Sequence, residues 1–513
     1  MSLRSLASSL PILAALPLAF LLLPGAADAR TWTVGPSGRD YTQLAILFSG
    51  NDLAPGDIVE VDGNATYGSA IVGENDGGAP GNPVIIRWRR AGGGSRPVLQ
   101  GGVNTIKFQR SNHVVFEGFE VRGGSNTCVF SEAHDVTVRD AVIHACPGHG
   151  ILGADLNSGS FTLEYSEVYD AGSGSTRHPI YMQSDEIAYP GSVFRMRYNY
   201  VHDGNGGNLL KNRHERAEIH SNWFEGSVYQ EIELIGPDCE TQAAGWTRAT
   251  KREDAELLNN VIVHTSTSWP NAIRIGGDLN GSSDGRVRMV GNTILFDRPG
   301  AGTAVYVQLG AGSVEMHNNA IHQTGSTAPA ILRENTSADT PVCAPFTTAP
   351  WSGGRRVAGS RNWVQFAATD VPSEWKDTLK SGDPGFRDIA ARNLRPRSNS
   401  PLRNAGLNRP PSPANFPMPW SLPKVVYDPP LRARLAIGDQ RARIPQGFFT
   451  VDIGALEEVD IDSLIGPFAL PGASPLLPPR SRPIVAPTAV PASPIPAKPR
   501  CDAVCVRLRG SRR

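Results

Sequence analysis

The sequence predicts an all-β fold, a right-handed parallel β-helix, from three observations. Short units of one kind recur along the chain, asparagine recurs at one place within them, and glycine and proline are abundant, at 54 and 42 of 513 residues. Such Gly and Pro usage argues for many turns and few long helices. The units are VTVRDAVIH (136–144), FTLEYSEVYD (161–170), FRMRYNYVHD (194–203), AEIHSNWFEG (217–226), AELLNNVIVH (255–264), VRMVGNTILF (287–296) and VEMHNNAIHQ (314–323). Aligned on the second apolar residue, each has a polar or small residue three places on and an apolar one at five. Asn199, Asn222, Asn260, Asn292 and Asn319 hold that third place in five consecutive units, at intervals of 23, 38, 32 and 27 residues.

Alternating β-branched and apolar residues indicate strands, and Asn or Gly after them indicates a bend. A fixed unit with variable loops suits a solenoid, whose stacked coils bury a shared core. Stacked Asn side chains can hydrogen-bond along such a ladder and satisfy polar atoms at a buried turn. A β-propeller blade needs four strands, and these units show two or three.

The remaining elements follow in chain order. Residues 1–29 read as a signal peptide: Arg4, an apolar run from Leu10 to Leu23, then Ala27-Asp28-Ala29 as cleavage site. Pro11 and Pro17 interrupt that run, which is short for a membrane helix, and no later stretch of 18 apolar residues follows. The expectation is a secreted or periplasmic protein without a membrane span. Residues 30–110 should form an N-terminal cap and first coils, with an amphipathic helix over Tyr41–Phe48 covering the open strand edge. Residues 111–335 should hold the central coils, and 336–460 the C-terminal coils and closing loops. The tail, 461–513, is Pro-, Ala- and Ser-rich from Pro467 to Pro499, as in poorly ordered linkers. It ends in Cys501, Cys505 and basic residues that could tether the solenoid to an envelope. Six cysteines permit disulfides in an exported chain, but their pairing is not readable. Equal numbers of basic and acidic residues, 49 of each, give no field for nucleic acid, and a monomer is expected.

Three C-terminal motifs, GDPGFRD (382–388), NSPLRNAG (399–406) and VDIGALE (451–457), resemble the closing segment of secreted bacterial β-helix proteins of the pectate-lyase-like superfamily. The block from RHPIYMQ (177–183) through GNLLKNRHERAEIHSNWF (207–224) to GNTILF (291–296) is similar to one branch of it. The pattern there is H-x-I-Y, then G-H-x-x-K-S-R, then N-x-I. This chain departs from it at Asn208, where His is common, and at Asn212, where Ser is common. The resemblance spans roughly 31–457 and implies carbohydrate-active relatives.

A second strand in each coil aligns on Ile180, Leu210, Ile232, Ile273 and Val305. With those centres inward, alternation turns out Tyr181, Leu209 with Lys211, Glu231 with Glu233, Arg274 and Tyr306, and Arg213 continues the outward phase. The opposite register would bury an unpaired Lys211 ammonium at a cost of several kcal/mol.

Cations, acids and aromatics on one face suit an acidic, uronate-containing polysaccharide. A lyase removes the proton beside the uronate carboxylate and needs that carboxylate neutralised. On this reading Lys211 is the base, with Arg213 and Arg274 as neutralisers. His178, Tyr181 and Tyr306 contact the sugar, and Glu231, Glu233 and Asp238 could hold Ca²⁺. A glycoside hydrolase is the second reading. GHG (148–150) resembles the polygalacturonase motif, but its accompanying aspartates are missing, and we read it as chance. Glu231 and Glu233 stand too close in one strand to flank a glycosidic bond. A third reading is a glycan-binding surface protein without catalysis. His144, His202 and His322, with Tyr169, should be stacked turn residues rather than ligands, and WTRATKRED (246–254) a cationic loop.

Overall fold

The computed structural model describes residues 29–91, 93–237, 239, 245, 253–277, 283–336, 349–443 and 450–458. The leader, the Pro-rich tail, Asp238 and most of the 246–254 loop lie outside these residues.

Strands of two to six residues form three long parallel sheets among the described residues. Sheet A has thirteen strands, from Thr31–Val34 to Trp375–Lys376; sheet B has twelve, from Thr66–Tyr67 to Leu379–Ser381; sheet C has ten, from Ala70–Val72 to Ala330–Glu334. Each coil visits C, A and B in turn. Asn104–Gln109, Val114–Glu117 and Glu120–Arg122 make one such circuit, and Thr127–Glu132 begins the next beside Asn104–Gln109. The result is a right-handed parallel β-helix, with the hand expected of parallel crossovers. Inward positions repeat in register: on sheet A, Val114, Val136, Phe161, Phe194, Ala217, Ala255, Val287 and Val314 stack in one buried column. Burying each of the larger members contributes about 1.5–3 kcal/mol.

The bend from sheet A to sheet B explains the recurrent asparagine. One residue there turns left-handed, as at Tyr198, Ser221 and Asn318, with φ of 60°, 55° and 56°. That conformation costs a side-chain-bearing residue roughly 1–2 kcal/mol. The buried Asn that follows offsets it with a continuous ladder. Asn199, Asn222, Asn260 and Asn292 each donate Nδ2–H to the Oδ1 of the next Asn, at 2.9–3.1 Å, and Asn319 donates to Asn362 at 3.0 Å. Each also donates to a carbonyl of the preceding coil, Asn260 to Ile219 at 2.8 Å. Asn362 is a sixth rung beyond the five read from the sequence.

The N-terminal helix runs Leu44–Gly50 and buries Leu44, Leu47 and Phe48. It starts later than Tyr41 because Tyr41 is still extended, bridging Val34 in parallel. After sheet C ends, two short antiparallel pairs follow, Phe386–Asp388 with Asn393–Pro396 and Gly406–Leu407 with Thr450–Val451. This segment covers sheet B from outside, and Leu394, Leu402, Ile453 and Leu456 pack on Trp223, Val261, Leu295 and Trp363. A disulfide joins Cys128, on sheet C, to Cys146, in the turn that leads from sheet B into the next circuit. Among the described residues, no helix is long and apolar enough to cross a membrane.

Candidate functional site

Five consecutive strands of sheet C carry the site: Ile180–Gln183, Leu210–Arg213, Ile232–Ile235, Asn271–Gly276 and Thr303–Val307. Their apolar members point inward, so the residues between them must point out. In register, Tyr181 pairs with Lys211, Lys211 with Glu233, Glu233 with Arg274, and Arg274 with Tyr306. The column expected from the sequence is therefore present, one residue per coil.

Glu233 is its electrostatic centre. Its carboxylate is almost wholly buried, lies 3.6 Å from Lys211 Nζ, and forms an ion pair with Arg274. Asn208 Nδ2 donates to it at 2.6 Å. Asn208 stands where the pattern that the sequence resembles has His, and its amide serves the central carboxylate. Lys211 Nζ also lies 5.4 Å from the Tyr181 ring centroid, a cation–π distance.

Four sequence expectations need correction. Arg213 does continue the outward phase, but it is buried: Nε donates to the Tyr181 hydroxyl at 3.0 Å, and its other end reaches the Gly236 carbonyl. It holds Tyr181 rather than facing the groove. Leu209 and Glu231 are not outward at all. Both precede their strands, in the turn where the alternation has not yet begun, and both are buried. The Glu231 carboxylate pairs with His264 and Ser227, away from Glu233. His178 is buried beneath Tyr181, ring centroids 5.4 Å apart, and not placed to touch a ligand in the groove.

His178 instead belongs to a chain of neutral imidazoles. The Asn208 backbone N–H donates to His178 Nδ1 at 2.9 Å, and the His178 backbone N–H donates to His149 Nδ1 at 3.1 Å. Burial first, then the Lys211 ammonium, holds the His178 imidazole well below its usual range. Burial and the Arg177 guanidinium lower His149 to about 4. His149 is the histidine of GHG, and its ring lies 5.8 Å from that of Tyr181. The motif read as chance thus supports the site from below. The signal that could have found it was its glycines. A Cβ on Gly150 would sit 2.5 Å from the Pro179 carbonyl oxygen, so the two coils meet closely there.

Glu231 and Glu233, two of the three residues expected to hold calcium, do not converge on one site. Among the described residues no group of three or more His, Cys, Asp or Glu side chains could hold a metal. Of the three expected ligands, Glu233 is engaged by two cations and an amide, and Glu231 by His264. Asp238 lies outside the described residues.

Elsewhere, His144, His202 and His322 lie in strands rather than turns, and His322 sits against Trp363. His144, Tyr169 and His202 stack face to face along sheet B, with centroids 5.0 Å apart at each step.

The fold and this face together define a solenoid with a charged and aromatic column on one sheet. No family model matches the chain, and no curated protein matches it. Among solved structures it is similar to pectate lyase Pel9A, at 12% identity and a TM-score of 0.48, over 85% of this chain and 98% of that one. A rhamnogalacturonan lyase is similar at 13% identity and TM-score 0.42, over 72% and 94%. An alginate lyase from Paenibacillus sp. str. FPU-7 is similar at 16% and 0.38, over 61% and 97%.

Proposed function

We propose that the protein is an exported lyase that cleaves a uronate-containing polysaccharide by β-elimination on the outer face of sheet C. The observation that carries this reading is the in-register column Tyr181, Lys211, Glu233, Arg274 and Tyr306. It offers cations for a carboxylate and aromatic rings for sugar faces, a combination that a merely solvated face does not require. The resemblance of the sequence motifs supports the same reading.

In the reaction, a base takes the proton from the sugar carbon beside the carboxylate. The electron pair left behind forms a carbon–carbon double bond as the glycosidic oxygen departs, and that oxygen takes a proton. Of the three cations only a lysine can act as base, because a guanidinium does not give up its proton. Lys211 is assigned that role because it stands in the column between Tyr181 and Glu233, beside the carboxylate that also holds Arg274. Arg274 meets the uronate carboxylate and stabilises the charge that grows on it. Arg213 takes a different part from Arg274: it donates to the Tyr181 oxygen, which orients that hydroxyl to give a proton to the leaving oxygen. Glu233 holds Lys211 and Arg274 in place. No step is routed through a metal.

The test is purified protein incubated with pectate, alginate and glycosaminoglycans, with and without chelator. An unsaturated product absorbing in the ultraviolet is expected from one of them, and its loss with chelator would add a metal to the site. Binding without any such product would make the column a glycan-binding face of a non-catalytic protein.

A further inference from the structure

Beyond the charged column, two turns lead into the strands Ile232–Ile235 and Asn271–Gly276. They bring Tyr229 and Trp269 together, with ring centroids 4.9 Å apart and planes at 39°. Trp269 is 42% exposed and Tyr229 half-buried. An indole left this open needs a reason, because large aromatic rings contribute most when covered.

Beneath the pair lies a buried hub. His264 Nδ1 is 2.6 Å from Glu231 Oε2, and neither side chain reaches solvent. His264 Nε2 lies 2.7 Å from the Trp269 carbonyl oxygen. On the other side, Ser227 Oγ lies 2.6 Å from Glu231 Oε1 and 3.1 Å from the Tyr229 carbonyl oxygen. One carboxylate therefore reaches the backbone of both aromatic residues, through one intermediary each. Ser266 Oγ ties the turns directly by donating to the Val228 carbonyl at 2.8 Å, and Arg298 Nε donates to the Ser266 carbonyl at 2.6 Å. A buried ion pair is a costly way to hold a turn, and a turn with no task beyond linking strands would not need one.

We propose that Tyr229 and Trp269 form a stacking subsite for a pyranose ring of the bound polymer, with Glu231 and His264 as positioning residues that fix the two rings. The C–H groups on a sugar face suit an aromatic surface, and two tilted rings cradle one sugar. This rests on reading the sheet C face as a polysaccharide groove. Tyr229 precedes Glu233 by four residues and Trp269 precedes Arg274 by five. At about 3.3 Å per residue in extended chain the subsite lies at most roughly 13–16 Å from the column, since both rings sit in turns. It therefore engages chains long enough to span both.

The experiment is calorimetric titration of the full chain with hexasaccharides of galacturonate, mannuronate and hyaluronan, with the galacturonate disaccharide, and with cellohexaose as a neutral probe. Trp269→Ala should weaken hexasaccharide binding about tenfold and leave the disaccharide affinity unchanged. Tyr229→Ala should weaken it less, and Trp269→Phe should recover part of the loss. His264→Gln should raise KM as Trp269→Ala does while leaving kcat unchanged, a split that a general loss of structure would not give. Uronate binding indifferent to Trp269→Ala overturns the subsite and leaves the uronate reading standing. Trp269-dependent binding of cellohexaose without uronate binding keeps the subsite and overturns the uronate reading. If no oligosaccharide binds, both fall.

Discussion

Lys211 Nζ lies 3.6 Å from the carboxylate of Glu233, one coil further along sheet C, and Glu233 is only 1% exposed. The same carboxylate pairs with Arg274. Two cations, on the coils either side of it, thus share one buried anion, and the position of each depends on it.

Lys211→Ala and Glu233→Gln should each lower turnover on the cleaved polymer by about 10²-fold or more, the scale of a lost general base. The double variant should be little worse than either single one, as for groups that act as a unit. Lys211→Ala should unfold close to the wild type, because its side chain already meets water. Glu233→Gln should cost about 1–2 kcal/mol, less than for a fully buried pair because both cations reach solvent. Steady-state rates and thermal unfolding check all of these.

Asn260→Leu tests the ladder. Asn260 Oδ1 accepts from the Asn222 N–H and Nδ2–H, and its own amide serves the Ile219 carbonyl. Replacement orphans three buried groups, so a loss of about 2–5 kcal/mol is expected by denaturant titration. Asn260→Asp keeps the acceptor but sets a buried oxygen against the Ile219 carbonyl and Asn292 Oδ1, so it should cost at least as much.

The ladder and the column were legible because both rest on strict periods. Alternation of two fixes the faces of Tyr181, Lys211, Glu233 and Arg274, and only the register with these residues outward keeps the Lys211 ammonium out of the apolar core. Glu231 and Leu209 were misread because they precede their strands, where that alternation does not apply. Arg213 has the right phase, but phase carries no information on what lies above a residue, and Tyr181 closes over it. His149 was discounted because a three-residue motif has no context until Pro179 and Tyr181 are brought beside it. Asn362 escaped because it follows Asn319 by 43 residues, an interval longer than those before it.

The Glu231–His264 pair should give stability a pH dependence. Burial lowers the His264 pKa, but the Glu231 carboxylate more than offsets this and raises it above 6.5; the Arg298 guanidinium opposes it slightly. The folded state then holds the proton more tightly than the unfolded one. The stabilisation is fully present below pH 6.5 and is lost as pH rises through the folded value. Unfolding midpoints measured from pH 5 to 9 should fall over that upper range, and His264→Gln should flatten the fall.

Glu253 should show the same sign through a carboxyl group. Burial, then the nearby Glu186, pushes it well above its ordinary 4.5. Above pH 4.5 the unfolded chain ionises while the folded one keeps its proton, so stability declines with rising pH. Glu253→Gln should stabilise the protein at pH 8 by about 1–3 kcal/mol, the worth of relieving an ill-matched buried group, and change little at pH 4. Thermal melts at the two pH values decide it.

The ladder makes each circuit an exchangeable cassette. Asn260 and Asn292 are 32 residues apart and occupy identical bends, so excision of 260–291 joins Asn259 to Asn292 and lets Asn222 bond to Asn292 in place of Asn260. The sheets keep their register while Arg274 disappears, and Glu233 gains Tyr306 as its neighbour. A change in what the groove recognises therefore needs no new fold, only the loss, duplication or replacement of one turn of the helix.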